Sequence, residues 1–310
     1  MCYSAQIWAS YRKYVREYLA EIDIGTFAEL FWSRLDDDRI KLPKAMEDAF
    51  DTSDDSTPPE IKDLIDKFKT QQATKLEQLL FAQRKRLADA ERTLLTKTTK
   101  AATEAKRIST TKVDWALLKL ADLRRTVLKD SDSRIYPGYY APVMVMENGK
   151  RVIKPMRYQC RPAGKPALYD TKYPGTYNAR RDSLEGYWKG LFGHRHAVMQ
   201  VDTFYENVEA GGGRNRVLQF TPRDGGPMYV ACLWSRWTDP AGTQPDLLSF
   251  AAITDEPEPE VAAAGHDRTI INLKPECIDA WLNPDPCDLP ALYALFDDRQ
   301  HPYYEHREAA

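Results

Sequence analysis

The stretch HAVMQVDTFYENVE, residues 196–209, sets the fold class of this chain. Its Val, Thr, Phe and Tyr residues are favoured in β-strands, and glycines lie on both sides of it. Asn148-Gly149 predicts a hairpin turn between two further strands. Five more short runs have the same character: APVMVM (141–146), RVIKPM (151–156), RVLQF (216–220), MYVACLW (228–234) and LLSFAAIT (247–254). The sequence therefore predicts a strand-rich domain from about residue 131 onward.

A long segment before these strands has a helical pattern. No Gly or Pro occurs between Glu60 and Arg134, and apolar residues recur at helical spacing, which predicts two long helices in a hairpin. Apolar residues spaced by three and four over residues 4–35 also predict amphipathic helices. A further helix is expected around Pro275–Leu282, followed by a short aromatic tail.

These patterns predict a mixed α+β fold. The 310 residues are enough for one large domain with an insertion. We expect the strand-rich domain to comprise residues 1–18 and 131–310, and a helical insertion to occupy residues 19–130.

Composition excludes several classes of protein. The chain is 43% hydrophobic and 29% charged, with a net charge of -2, and it has no apolar run of the ~18 residues that a membrane helix needs. The N-terminus lacks the pattern of a secretory signal, so we expect a cytoplasmic protein without a membrane partner. Five scattered cysteines favour reduced thiols. His194 and His196 lack a third ligand at a recognisable spacing, so neither a metal nor another cofactor is predicted.

Charge is distributed unevenly along the chain. From Lys62 to Lys129, seventeen Lys and Arg residues stand against eight acidic residues. Such a segment is either an anion-binding face or an ordinary solvated helical surface, and the sequence leaves both interpretations open.

Cys2 is the strongest candidate for chemistry. Removal of Met1 would give Cys2 a free α-amine beside its thiol, and an α-amine with a reference pKa near 7.7–8.0 is a good nucleophile toward carbonyls. Such a pair converts an aldehyde to an imine, and the thiol then closes a five-membered thiazolidine ring. The alternative is that Cys2 is simply a small buried residue.

Three internal segments and the Met-Cys start resemble one family. The segments are residues 177–185 (YNARRDSLE), 196–206 (HAVMQVDTFYE) and 264–268 (AGHDR). In this order they resemble motifs of the SRAP family, the SOS-response-associated peptidases that shield abasic sites. The resemblance covers residues 1–6 and 131–310. It implies a mixed, barrel-like β-sheet with flanking helices, and an N-terminal Cys that crosslinks to abasic sites in single-stranded DNA as part of the DNA damage response.

The resemblance also implies roles for particular residues. Asn178 would orient Cys2 and the opened sugar, Glu206 would act as general acid and base, and His266 would assist sugar ring opening. Arg180 would hold a DNA phosphate, and Arg268 would contact DNA. Thr254 would line the pocket that contains Asn178, Glu206 and His266.

The sequence departs from the family pattern at positions expected to bind DNA. Tyr3-Ser4 replaces Gly-Arg, Asn207 replaces a Trp, and Ile270 replaces a Pro. Basic residues of the helical insertion are a hypothetical replacement for the lost phosphate contacts. Two other functions stay open: a thiol autopeptidase that uses Cys2, and a non-enzymatic scaffold that binds a protein partner through residues 60–130.

Overall fold

The structure, a computed structural model, describes residues 4–7, 11–51, 58–210 and 213–309, with the backbone alone for residues 11–13 and 51. In these residues the strands are β1 Ser4–Ile7, β2 Glu21–Ile22, β3 Arg134–Ile135, β4 Tyr140–Glu147, β5 Lys150–Tyr158, β6 Asn178–Arg180, β7 His196–Glu209, β8 Asn215–Pro222, β9 Met228–Trp237, β10 Leu247–Asp255, β11 Thr269–Ile270 and β12 Tyr304–Glu308. The helices are α1 Tyr11–Tyr18, α2 Ile24–Asp36, α3 Lys44–Asp51, α4 Pro59–Thr96, α5 Lys100–Arg124, α6 Tyr169–Lys172, α7 Pro259–Ala263, α8 Ile278–Leu282 and α9 Leu289–Asp297.

Five of the strands close into a barrel. β4 pairs with β5 and β7, β7 pairs with β9, and β9 pairs with β10, all antiparallel; β10 then pairs parallel with β5 and closes the ring. The turn between β4 and β5 places Asn148 and Gly149 at φ values of 51° and 75°, as a tight hairpin turn requires. The predicted mixed α+β fold with a barrel-like sheet is confirmed.

β7 changes partners halfway along its length. Its first half pairs with β9 as far as Val201, and its second half pairs with β8 from Phe204 onward. On the β1 side the register shifts between Val201 and Thr203, which makes Asp202 the extra residue of a β-bulge. A bulge bends a strand and re-aims the side chains that follow it. The end of β7 therefore leaves the barrel wall and carries Glu206 with it.

The expectation of helix at residues 4–35 is wrong at its start. Ser4–Ile7 form strand β1, which lies between β7 and β3 and pairs antiparallel with both. A four-residue segment is too short for helical and strand periodicity to be told apart, so long-range pairing decides its conformation. The expected helices appear later, as α1 and α2.

Two elements near the C-terminus were absent from the sequence-based expectation. Helix α9 begins after Asp288, whose side chain accepts a hydrogen bond from the Ala291 amide at 3.1 Å. The expected aromatic tail contains strand β12, which pairs antiparallel with β8. Most β12 side chains are exposed and polar, so apolar alternation gave no signal there.

As far as it is described, the chain divides into two compact units. The first comprises Met1–Leu30, Arg39–Thr52 and Lys129–Ala310 and contains the barrel. The second comprises Phe31–Asp38 and Ser53–Leu128 and contains the antiparallel pair α4 and α5, which confirms the predicted helical hairpin. No helix among the described residues is long and apolar enough to cross a membrane.

Small side chains are prominent among the buried residues of the hairpin. Ala90 on α4 and Ala102, Ser109 and Ala116 on α5 are buried, which lets the two helices approach closely. At the tip, Thr99 is the N-cap of α5, and its hydroxyl accepts a hydrogen bond from the Ala102 amide at 3.1 Å.

Candidate active site

Glu206 lies in the second half of β7, and its side chain is completely buried. The strand is bordered there by β8, where Glu206 pairs with Leu218, and by β1, where Ser4 pairs with the neighbouring Tyr205. Removing a carboxylate from water is costly unless a partner compensates for its charge. A buried Glu at this position therefore demands a polar neighbour.

That neighbour is His266, which a helix-ending motif holds in place. Helix α7 ends in a Schellman motif: the Gly265 amide donates to the Ala262 carbonyl at 2.9 Å and the His266 amide donates to the Val261 carbonyl at 3.2 Å. Gly265 has a φ of 97°, a conformation that side chains with a Cβ rarely adopt. The sequence Ala-Gly-His thus ends the helix and fixes the direction in which His266 leaves it.

The imidazole of His266 connects Glu206 to the backbone of its own turn. Its Nε2 lies 3.3 Å from the Glu206 carboxylate, and its Nδ1 lies 3.0 Å from the Arg268 carbonyl oxygen. The Arg268 amide also donates to Nδ1 at 3.3 Å, so the two contacts of Nδ1 correspond to different tautomers of the ring. Nε2 faces the carboxylate at a distance over which a proton can pass between the two groups. Burial lowers the pKa of His266, which favours its neutral form.

Asn178 and Thr254 form a second buried pair. β6 runs parallel to β10, with Asn178 beside Ala252 and Arg180 beside Thr254. The Thr254 hydroxyl donates to the Asn178 side-chain carbonyl at 2.6 Å, which fixes the orientation of the amide. The Asn178 Nδ2 is buried and has no hydrogen-bond partner in the described part of the chain. A buried donor without an acceptor is costly, so this amide is suited to a ligand oxygen.

The two pairs are connected through β10 and β11. Thr254 pairs with Ile270 of β11, and Asp255 pairs with Thr269. His266 lies only three residues before Thr269, so the turn that carries it is attached to the same end of β10.

The two predicted DNA-contacting arginines have different surroundings. Arg180 is exposed, and its guanidinium makes two hydrogen bonds to Asp182, one of them 3.1 Å long. Arg268 is mostly buried, and its Nε lies 3.8 Å from the Asp267 carboxylate. Arg180 therefore offers a solvent-accessible cation. Arg268 instead contacts the His266 ring through its backbone.

Cys2, the predicted nucleophile, lies outside the described residues. The first described residue after it is Ser4, whose hydroxyl accepts a hydrogen bond from Arg134 Nε at 3.0 Å. The Arg134 guanidinium also stacks over the Tyr205 ring at 3.6 Å. This contact was missed from the sequence because 130 residues separate Ser4 from Arg134 and no local motif relates them.

The His194-x-His196 pattern has a structural explanation at His196. The His196 Nε2 accepts a hydrogen bond from the Gly193 amide at 2.8 Å, and its Nδ1 contacts the Trp281 carbonyl oxygen at 2.9 Å. Both ring nitrogens are therefore already engaged. Among the described residues, no group of three or more His, Cys, Asp or Glu side chains is placed to hold a metal ion.

The fold and these two pairs define a class of α+β protein. It has a closed five-strand mixed barrel, with a buried carboxylate–imidazole pair and a buried amide grouped around one end of β10. A family model described as SOS response associated peptidase (SRAP) matches residues 92–308. Since this match spans more than half of the chain, the protein belongs to the SRAP family.

Three solved structures are similar to this chain. A protein from Bordetella bronchiseptica is 20% identical, with a TM-score of 0.47 over 57% of this chain and 87% of that chain. A protein from Bacteroides thetaiotaomicron is 14% identical, with a TM-score of 0.48 over 57% and 77%. A phage-related protein from Bordetella bronchiseptica is 16% identical, with a TM-score of 0.43 over 62% and 88%. No curated protein sequence matches the chain.

Proposed function

We propose that this protein captures abasic sites in single-stranded DNA by forming a thiazolidine crosslink through Cys2. The observation that carries the proposal is the buried Glu206–His266 pair, 3.3 Å apart, at the strand that borders β1. Each step of thiazolidine formation moves a proton, and a carboxyl and an imidazole this close together are suited to this task.

Chain connectivity supports a reaction near this pair. Ser4 pairs with Tyr205, the residue before Glu206. Cys2 precedes Ser4 by two residues, and two residues of polypeptide span at most about 7 Å. The proposal therefore requires Cys2 to react near the end of β7.

The proposed reaction balances without a cofactor. Hydrolytic removal of Met1 exposes the α-amine of Cys2. The amine adds to the C1′ aldehyde of the ring-opened sugar to give a carbinolamine, which loses water to form an imine. The Cys2 sulfur then adds to the imine carbon and a proton goes to the nitrogen, so that one aldehyde and one aminothiol become one thiazolidine and one water.

The pocket residues have separate roles in this proposal. His266 and Glu206 pass the proton needed for sugar ring opening and for loss of the carbinolamine hydroxyl as water. Asn178, oriented by Thr254, donates its Nδ2 hydrogen atoms to a sugar oxygen. Burial of these groups strengthens their electrostatic interactions with the reacting atoms.

We propose that Arg180 and Arg268 contribute to DNA binding. The Arg180–Asp182 pair is exposed, and exposed ion pairs contribute at most about 1 kcal/mol. A DNA phosphate can therefore displace Asp182 at small cost and take both hydrogen bonds of the guanidinium fork. Thr254 lines the pocket through its hydroxyl.

The test is adduct formation on an oligonucleotide that carries one abasic site. We expect the wild-type protein to form a heat-stable covalent product, and Cys2→Ser and Cys2→Ala to form none, because neither variant can close the ring with sulfur. Cys287→Ser is the matched control, since Cys287 is an exposed thiol far from the N-terminus in sequence. This variant should retain the adduct.

The product is analysed by denaturing electrophoresis after heating and by intact mass spectrometry. The mass should equal protein without Met1 plus DNA minus one water. A heat-stable adduct with Cys2→Ser, or no adduct with the wild-type protein, would refute the proposed mechanism.

A further inference from the structure

An exposed cluster of aromatic and cationic side chains flanks β6 on both sides in the chain. Before β6, the segment around α6 carries Tyr169 and Tyr173 together with Lys165 and Lys172. After β6, the chain carries Tyr187. We call these five residues the Tyr–Lys platform. β6 itself holds Asn178 and Arg180, so the platform adjoins the candidate active site in the chain.

The platform is held together by defined contacts. The Tyr187 hydroxyl donates to the Tyr169 hydroxyl at 2.9 Å, which joins the segment after β6 to helix α6. The Tyr169 and Tyr173 rings lie 4.3 Å apart between centroids. Tyr187 packs edge-on against Trp188, with centroids 4.8 Å apart, and Trp188 is buried in the core. These rings are therefore anchored, although they lie at the surface.

The platform leaves flat apolar surface in contact with solvent. Tyr173 is 42% exposed and Tyr187 is 47% exposed. The Lys165 Nζ lies 5.6 Å from the Tyr169 ring centroid, and the Lys172 Nζ lies 5.5 Å from that of Tyr173. An aromatic surface interleaved with ammonium groups is chemically suited to a ligand with flat rings and negative charges.

Neighbouring carboxylates do not neutralise these lysines. The closest acidic residue in sequence, Asp170, receives its hydrogen bonds from the guanidinium groups of Arg157 and Arg161. Within the described residues, neither Lys165 nor Lys172 forms an ion pair. The platform therefore keeps a local positive charge although the chain as a whole has a net charge of -2.

We infer that the Tyr–Lys platform binds single-stranded DNA next to the reactive site, with bases stacked on Tyr173 and Tyr187 and phosphates beside Lys165 and Lys172. The inference rests on the DNA substrate proposed above and adds a base-binding surface to it. Stacking on tyrosine is tolerant of sequence because every base has an aromatic face. The platform would therefore hold the undamaged nucleotides that flank a lesion.

The first test measures equilibrium binding of an undamaged single strand by fluorescence anisotropy. We expect Tyr173→Ala and Tyr187→Leu to weaken binding by roughly 5- to 150-fold each, the loss associated with one stacked base. Tyr187→Phe keeps the ring and should stay within about twofold of wild type. Tyr303→Ala is the matched control, because Tyr303 is 52% exposed and also contacts a cation, Arg223, at 4.0 Å.

The second test separates bases from phosphates. A strand of the same length built from sugar analogues without bases offers phosphates but nothing to stack. On this ligand Tyr173→Ala should bind like wild type, whereas Lys165→Gln and Lys172→Gln should still weaken binding. Melting temperatures of all variants, matched to wild type, establish that each variant is folded.

These outcomes decide the inference independently of the crosslink. If Tyr173→Ala and Tyr187→Leu bind the undamaged strand with wild-type affinity, the inference is wrong. It is also wrong if Tyr303→Ala loses as much affinity as these two variants, or if Tyr173→Ala loses as much affinity for the base-free strand as for the undamaged strand. Because neither strand presents an aldehyde, a failure of Cys2 to crosslink would leave these binding results unchanged.

Discussion

A single buried histidine links the stability of the barrel to pH. His196 lies between the Phe192 and Trp281 rings, with centroids 5.7 and 3.7 Å away, and burial lowers its pKa to about 3. In the unfolded chain a histidine takes up its proton near pH 6.5. Between these two values the unfolded state binds more protons than the native state, so stability falls as the pH decreases.

We therefore predict a pH-dependent difference between wild type and His196→Gln in free energy of unfolding. Wild type should be more stable at pH 7.5, and this advantage should shrink below pH 6.5 by at most about 1.4 kcal/mol per pH unit. Urea unfolding at several pH values measures both curves. His194→Gln, at an exposed position two residues away, is the control. Parallel wild-type and His196→Gln curves between pH 6.5 and 4.5 would contradict the assignment.

At the residue scale, the sequence identified candidate positions but not their contacts. Asn178, Glu206 and His266 were found through local motifs, and their roles stay predictions. Their partners come from distant positions: Thr254 is 76 residues from Asn178, and His266 is 60 residues from Glu206. Side-chain direction also depends on backbone detail, such as the Gly265 conformation that orients His266. The spacing of residues along one sequence gives neither the distance between Asn178 and Thr254 nor the distance between Glu206 and His266.

At the scale of elements, the segment between β5 and β6 is held by one carboxylate. Asp170 accepts hydrogen bonds from Arg157 at 2.7 Å and from Arg161 at 3.0 Å. Gln159, with a φ of 119°, is held in place by a backbone hydrogen bond to Phe250. Burial opposes ionisation of Asp170, but hydrogen bonds from Arg161 and Arg157 lower its pKa below its usual value. This segment leads directly into Asn178.

We predict that Asp170→Asn destabilises the protein by about 3 kcal/mol, because it leaves the buried Arg161 and its neighbour Arg157 without their anion. Asp182→Asn, which removes the anion from an exposed pair, should change stability by less than about 1 kcal/mol. Denaturant unfolding of both variants at pH 7 measures the difference. In wild type this contribution should be lost in acid, as the pH falls through the lowered pKa of Asp170. Equal stability of the two variants would contradict the prediction.

The type of each element was predictable where the sequence pattern was long or strongly apolar. The barrel strands stand out as apolar runs because they are buried on both faces, as in β7. The helical hairpin was predictable because thirty-eight and twenty-five residues carry continuous helical patterns. β1 and β12 were not, because each is defined by its pairing with a distant strand. The closure of the barrel by the parallel β5–β10 pair is likewise a property of the fold and not of either segment.

At the scale of the whole molecule, part of the positive charge of the hairpin is paired. Lys106 contacts Glu91 at 3.2 Å and Arg124 contacts Glu77 at 2.7 Å, which joins α4 to α5. Within the helices, ion pairs link Arg92 to Asp89 and Arg107 to Glu104. All of these side chains are exposed, so each pair contributes little to stability. The pairs do, however, reduce the number of cations that are available for an external partner.

The consecutive residues Arg84, Lys85 and Arg86 differ from these cations, since they form no ion pair within the described chain. If the hairpin binds DNA phosphates, replacing all three by Gln should make the salt dependence of single-strand binding shallower. Each phosphate contact contributes about 0.7 to the slope of log affinity against log salt. Successive helical residues point about 100° apart, so not all three reach one strand, and we expect a change of roughly 1 to 2.

The matched control replaces Arg92, Lys106 and Arg107 by Gln, which removes the same charge from cations that are already paired. This variant should change the slope less than the Arg84, Lys85 and Arg86 variant does. Anisotropy titrations from about 50 to 300 mM salt measure both slopes, a range over which phosphate contacts strongly affect affinity. Unchanged slopes in both variants would contradict DNA binding by the hairpin and favour the alternative of a protein partner for residues 60–130.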